Sequence, residues 1–121
     1  MKLLIDTNFI MDLCRFRIDL SELHDLIPES VELYVLGKTI DELNSLSKKE
    51  KHGKYAKLSL ALIKSNRISV SDVAGDVDKS LLALAGKNFL IATNDGKLRL
   101  QLKKKGMKTI YLRARKHLAI G

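Results

Sequence analysis

Two acidic residues stand after apolar segments of the kind that form buried strands. Asp6 follows the run at 2–5, and Asp95 closely follows the run at 88–93. In a parallel sheet the carboxyl ends of the strands meet at one edge, where ligands and catalytic groups collect. Both acids are therefore candidate site residues. The alternative is that each caps the helix after it, a common role for a single Asp at a helix start.

Two further acids lie early in predicted helices. Glu42 belongs to the helix after the second strand, and Asp78 to the first turn of the helix before the fourth. Leu82 and Ala85 lie four and seven residues after Asp78, which places its carboxylate in line with an inward apolar stripe. Capping is again the alternative, because Thr39 and Glu42 fit a Thr-x-x-Glu capping box.

These four carboxylates would repel one another at one sheet edge unless a divalent cation neutralised them. Oxygen ligands without His or Cys nearby favour Mg²⁺ or Mn²⁺. Cys14 is the only cysteine, which excludes an internal disulfide and a cysteine zinc site. A cation beside a phosphate-binding surface is suited to phosphodiester hydrolysis, because it activates water and orients the scissile phosphate. The acids therefore favour a nuclease.

The charge distribution supports a polyanionic partner. Residues 96–121 contain nine Lys or Arg and no acid, whereas residues 1–95 contain 13 basic and 14 acidic residues. Such clusters neutralise phosphates, although a solvated lysine face is the alternative. A second basic cluster occupies 47–57. The candidate nucleic-acid-binding residues are Lys97, Arg99, Lys103 and Lys104.

Strands and helices alternate along the chain, which predicts a mainly parallel α/β sheet with helices on both faces. One domain is expected over residues 1–121. The apolar runs are too short to span a membrane and no signal-peptide pattern is visible, so a cytoplasmic protein is expected. The predicted strands are 2–5, 32–37, 67–71, 88–93 and 108–113, and the predicted helices are 8–14, 19–27, 39–46, 55–66, 77–87 and 95–106.

Four segments, in order, resemble the acidic motifs of the PIN-domain ribonuclease family: LLIDTN, TIDEL, DVDKSLLALA and LIATND. The C-terminal part is most similar to small archaeal-type PIN proteins of the ribosome-processing branch, and less so to VapC toxins. The resemblance implies a three-layer α/β/α fold around a five-stranded parallel sheet. It also implies metal-dependent cleavage of single-stranded RNA.

Carried over by position, Asp6, Glu42, Asp78 and Asp95 match the family's acidic metal-site quartet. Asn8 and Thr93 match the polar positions that help to orient it. The resemblance selects Glu42 over Asp41 because the family pattern is Glu followed by Leu. It also makes a homodimer, a protein antitoxin and a ribosomal partner candidate interactions.

The expected mechanism is in-line attack of a metal-activated water on the phosphate, leaving a 5′-phosphate and a 3′-hydroxyl. The competing interpretation is a PIN-like RNA-binding or ribosome-assembly protein with little hydrolytic activity. In that case the basic part binds RNA and the acids are structural.

Overall fold

The computed structural model describes residues 1–27, 29–51, 53–71 and 89–121. Within these ranges the chain forms six strands and five helices. The strands are β1 (Lys2–Ile5), β2 (Glu32–Leu36), β3 (Ser69–Ser71), β4 (Phe89–Ala92), β5 (Thr109–Arg113) and β6 (His117–Ile120). The helices are α1 (Thr7–Arg15), α2 (Ser21–Leu26), α3 (Gly37–Leu46), α4 (Gly53–Ser65) and α5 (Gly96–Lys104).

The six strands form one sheet in the order β3-β2-β1-β4-β5-β6. The first five are parallel, with Leu3 of β1 opposite Leu33 of β2 and Leu90 of β4. The direction of strand addition reverses between β1 and β4. In open α/β sheets the crevice outside the carboxyl ends at such a reversal is the usual ligand site. The topology therefore directs attention to the ends of β1 and β4.

The side chains of β1 alternate between two apolar cores. Leu3 and Ile5 are fully buried in a cluster with residues of α1, α2, α3 and α4. Leu4 faces the opposite side and packs with Leu98 and Leu102 of α5. Because helices cover both faces of the sheet, the three-layer α/β prediction is confirmed.

Three helices are followed, two residues after their last residue, by a residue with positive φ, namely Arg17 (55°), Arg67 (51°) and Gly106 (76°). After α5 the N–H of Met107 donates to the carbonyl of Leu102 at 3.0 Å, which is the bond of a Schellman motif. Glycine adopts this backbone region at little cost, so Gly106 makes the end of α5 well defined.

The sheet has one strand that the sequence analysis did not predict. β6 pairs antiparallel with β5, with Arg113 opposite His117 and Leu112 opposite Leu118. The connecting residues Ala114 and Arg115 have φ of 54° and 57°. The tight turn allows the chain to reverse and extend the sheet by an antiparallel edge.

The other described elements lie where they were predicted, with ends that differ by a few residues. Pro28 and the predicted helix at 77–87 lie outside the described residues. None of the described helices combines the length and apolarity that a membrane span requires.

Candidate metal and nucleic-acid site

The candidate site lies where β1 and β4 end side by side. The N–H of Asp6 donates to the carbonyl of Ala92 at 2.9 Å, which extends the pairing one residue beyond β1. Asp6 and the segment 93–95 therefore leave the sheet at the same level. This is the crevice at which the strand order reverses.

The carboxylate of Asp6 is nearly buried, at 5% exposure, and bonds to groups from two elements. Its Oδ1 accepts the N–H of Thr7 at 2.8 Å and so caps α1. Its Oδ2 accepts the hydroxyl of Thr93 at 2.8 Å. The expected helix cap is thus present, but the second bond ties the same carboxylate to the end of β4. A cap alone does not need that bond.

The hydroxyl of Thr93 links Asp6 to the segment that carries Asp95. Thr93 is fully buried, and its Oγ1 also accepts the backbone N–H of Asp95 at 3.1 Å. Asp95 in turn caps α5, since its Oδ1 accepts the N–H groups of Lys97 at 2.9 Å and Leu98 at 3.4 Å. One buried hydroxyl therefore fixes the position of the second acid relative to the first.

Glu42 reaches the same region from α3. Its Oε1 lies 3.3 Å from the hydroxyl of Thr7, and that hydroxyl lies 3.1 Å from the hydroxyl of Thr39. The capping box expected of Thr39 and Glu42 does not form. Helix α3 begins earlier, with Leu36 at the N-cap position and no side-chain cap bond. Glu42 is exposed and Thr39 is buried, so the carboxylate is held at the surface of the crevice.

The structure thus brings three of the four predicted acids to one edge. The Thr93 hydroxyl links Asp6 to the backbone of Asp95, and Thr7 links Asp6, through its backbone N–H, to Glu42, through its hydroxyl. Asp78 lies outside the described residues. In the described part of the chain no three His, Cys, Asp or Glu side chains are close enough to form a metal site by themselves. The available donors are all carboxylate oxygens, which suits Mg²⁺ or Mn²⁺. Mg²⁺ usually binds through one or two carboxylates and keeps several waters, so a loose set of acids fits this ion.

The remaining predicted residues divide into two groups. Thr93 bonds to Asp6 and to the backbone of Asp95, and its supporting role stays a prediction. Asn8 is exposed, and its side chain makes no hydrogen bond with the part of the chain that the structure describes. The predicted RNA-binding residues all lie on α5: Lys97, Lys103 and Lys104 are exposed and Arg99 is half-buried.

Sequence reasoning missed two further positions at this edge. Asn94 donates from Nδ2 to Asp12 Oδ2 of α1 at 2.9 Å, and its Oδ1 accepts the N–H of Leu112 at 2.7 Å. Thr7 connects Asp6 to Glu42. Thr7 lies in the motif LLIDTN and Asn94 in LIATND. Their position next to Asp6 and Asp95 in the sequence is the signal by which they could have been predicted.

Cys14 does not fit the role of a nucleophile. Burial raises the pKa of the Cys14 thiol, and the hydrogen-bond contact with Ser59 at 3.7 Å only partly offsets that rise. The reactive thiolate is therefore scarcer at neutral pH than for a solvated cysteine.

The sequence matches a known family along almost the whole chain. A family model described as a PIN-like domain matches residues 3–115. The chain belongs to the PIN-like domain family. This confirms the resemblance drawn from the acidic motifs.

A solved structure of the PIN domain endonuclease Utp24 is similar to this PIN-like domain. The TM-score is 0.78 at 22% sequence identity, and the match covers 98% of this chain and 90% of that one. At this identity the likeness establishes the fold. Comparison with curated protein sequences found no significant match.

Proposed function

We propose that this PIN-like domain is a Mg²⁺- or Mn²⁺-dependent endoribonuclease that cuts single-stranded RNA. The observation that carries the proposal is that the Thr93 hydroxyl makes two hydrogen bonds, donating to the Asp6 carboxylate and accepting the backbone N–H of Asp95. These bonds link the two acidic residues at the edge where the strand order reverses. Family membership supports a nuclease in general. The choice of RNA, its single-stranded form and a role in rRNA processing are parts of the proposal that rest on the family resemblance.

Asp6, Glu42, Asp78 and Asp95 would hold the cation directly or through water. A bound cation lowers the pKa of a coordinated water and stabilises charge on the phosphate. Asp95 offers Oδ2, which accepts no hydrogen bond within the described ranges, while Oδ1 is engaged as the cap. Glu42 is exposed at the crevice and would orient the attacking water. Attack in line would leave a 5′-phosphate and a 3′-hydroxyl.

Helix α5 would position the RNA. Asp95 is its N-cap, and it carries Lys97, Arg99, Lys103 and Lys104. Cations on this helix attract phosphates without reading sequence, so binding should depend strongly on salt and weakly on base identity.

A second candidate is an RNA-binding or assembly protein without hydrolytic activity. The observation that favours it is that Asp6 and Asp95 both cap helices, which gives each carboxylate a structural role. In that case the acids stabilise α1 and α5, and the basic residues of α5 supply the function.

Cleavage of a labelled single-stranded RNA in Mg²⁺, Mn²⁺ or EDTA separates the two candidates. Asp6→Asn is the test variant, because Asn caps a helix nearly as well as Asp and the fold should persist. Asp19→Asn is the matched control, since Asp19 also accepts a backbone N–H, that of Ser21 at 2.9 Å, but is exposed outside the site.

The proposal expects metal-dependent cleavage by the wild type and by Asp19→Asn, and a loss of at least about 100-fold in Asp6→Asn. Products should carry 5′-phosphate ends. RNA binding by every protein with no cleavage in any metal would favour the assembly protein. A 2′,3′-cyclic phosphate product would contradict attack by water, because it implicates the 2′-hydroxyl of the RNA.

A further inference from the structure

Arg99 is held against an aromatic ring beside the candidate site. Its guanidinium carbon lies 3.5 Å from the centroid of the Tyr111 ring, which is contact distance for stacking. Arg99 belongs to α5 and Tyr111 to β5, and both are half-buried. A long side chain that is already restrained loses less entropy when it binds a ligand.

The donors of this guanidinium are not used within the described part of the chain. Its Nε is buried without a hydrogen-bond partner, and no carboxylate there lies within ion-pair distance. Arg99 as a whole is only half-buried, so its two terminal nitrogens, unlike Nε, are not enclosed without a partner. An acceptor from outside the chain could reach the two terminal nitrogens together, as a phosphate does in a bidentate pair.

A surface cavity of about 350 Å³ adjoins the stacked pair. It is lined by Gly96, Arg99, Leu100, Lys103, Tyr111 and Gly121. Lys103 lies one turn after Arg99, so the two cations lie on the same face of α5. Residues 96–121 contain no acidic residue. The charged side chains of the lining, Arg99 and Lys103, are therefore both cations that could bind an anion.

The cavity lies close to the acidic edge. The backbone N–H of Arg99 donates to the carbonyl of Asp95 at 2.9 Å, so Arg99 lies one helical turn from that acid. One turn rises about 5.4 Å along the axis. An RNA phosphate in the cavity would thus be close to a phosphate at the acids.

We infer that Arg99 and Lys103 bind an RNA phosphate that flanks the one cut at the acidic edge, with Tyr111 as the positioning residue for Arg99. The inference rests on the proposed function for the identity of the strand. An RNA strand fits better than an acidic protein segment because the cavity lies on α5 directly after Asp95, so that one strand could contact both the cavity and the acidic edge.

Binding in EDTA tests the subsite without any cleavage. Fluorescence anisotropy of a short labelled single-stranded RNA would be measured over a range of salt concentrations. Arg99→Gln should weaken binding about tenfold. It should also reduce the magnitude of the slope of log K against log salt by about 0.7, the value for one phosphate contact on a single strand. Lys64→Gln, at the exposed end of α4, is the matched control and should leave the slope unchanged.

Variants of the ring test the positioning role. Tyr111→Leu should weaken binding without changing the salt slope, because the charge of Arg99 remains. Tyr111→Phe keeps a ring and should restore wild-type affinity. Urea midpoints of all variants would show that each is folded. Equal affinities for Tyr111→Leu and Tyr111→Phe would overturn the positioning role.

The location of the phosphate is tested on cleaved RNA. Once the cut is mapped, neutral methylphosphonates are placed on either side of it and kcat/KM is measured. Wild type should lose kcat/KM at one flanking position, and Arg99→Gln should show no additional loss there. Additive losses would overturn the assignment, as would equal salt slopes for Arg99→Gln and Lys64→Gln. Altered salt slopes without any metal-dependent cleavage would reject the proposed function while the RNA subsite stands.

Discussion

The hydroxyl of Thr93 acts as donor and acceptor at once. It donates to Asp6 and accepts the backbone N–H of Asp95, and all its contacts are made in a fully buried position. Buried polar groups that lose a partner are costly because water cannot replace it. A single hydroxyl therefore couples the stability of this edge to the placement of two candidate metal ligands.

Replacing Thr93 by Val removes the hydroxyl while keeping the shape. We expect a loss of about 1–3 kcal/mol in the free energy of unfolding, since the Asp6 carboxylate and the Asp95 N–H both lose a partner. Cleavage should fall as well. Thr93→Ser keeps the hydroxyl and is the control in urea titrations and cleavage assays. Equal effects of Val and Ser would show that the methyl group, rather than the hydrogen bonds, matters.

Adjacent exposed acids on α3 give a second residue-scale test. Glu42 bonds to Thr7, whereas its neighbour Asp41 is exposed and has no such bond. Glu42→Gln should lower cleavage by about 100-fold with little effect on stability, since the lost charge is that of a metal ligand or base. Asp41→Asn should leave both unchanged. Loss of cleavage in Asp41→Asn, with normal cleavage by Glu42→Gln, would show that Asp41 is the metal ligand or base instead of Glu42.

Some residues of this edge could be predicted from the sequence, and the contacts of others could not. Asp6 and Asp95 follow apolar runs, and the strand ends bring them together without further information. The contact between Thr7 and Thr39 joins residues 32 positions apart and depends on how α1 and α3 approach each other. No local pattern encodes that approach. The prediction for Asp78 is not tested by the described residues.

At the scale of elements, Asn94 joins three of them. It follows β4, donates to Asp12 of α1 and accepts the N–H of Leu112 of β5. Its side chain continues the hydrogen bonding of the sheet where the backbone of β4 turns away. The segment 93–95, which carries the site, is held from both sides in this way.

We expect Asn94→Ala to cost about 1–3 kcal/mol, because the half-buried Leu112 N–H and Asp12 carboxylate each lose a partner. At a temperature at which Asn94→Ala is fully folded, its cleavage rate should still be lower than that of the wild type. Asn44→Ala, at an exposed position of α3, is the control for loss of an amide. A fully active Asn94→Ala would show that the acids keep their positions without this bridge.

The turn between β5 and β6 explains why the last strand was missed. Tight hairpin turns with positive φ usually carry Asn or Gly, and here the residues are Ala114 and Arg115. The segment therefore lacks the signal by which a hairpin is predicted. Its strand, His117–Ile120, has four residues, as β1 and β4 do, but only Leu118 of it is buried, whereas β1 buries three residues and β4 two.

Ala114→Gly should stabilise the protein by about 1 kcal/mol, because Ala at positive φ is strained and Gly is not. Ala61→Gly, at an exposed position inside α4, should instead destabilise it by about 1 kcal/mol. Urea denaturation of both variants measures the difference. Destabilisation by Ala114→Gly would contradict the strained turn.

For the whole molecule, the distribution of charge agrees with the arrangement of the elements. Asp6, Glu42 and Asp95 lie at the reversal of strand order, and the acid-free stretch 96–121 begins directly after Asp95. An acidic edge by itself repels phosphate, and a bound divalent cation would reverse that effect. Metal binding and RNA cleavage should therefore depend on the same carboxylates.

The most direct measurement follows Mn²⁺ binding and RNA cleavage in the same samples. Mn²⁺ is titrated into wild type and Asp6→Asn, bound ion is measured by electron paramagnetic resonance, and single-turnover cleavage is recorded at each concentration. The cleavage rate of the wild type should rise with Mn²⁺ occupancy, and Asp6→Asn should lose both. Cleavage that persists in EDTA, or an Asp6→Asn variant that binds Mn²⁺ and cuts like the wild type, would contradict the metal site at the β1 and β4 ends.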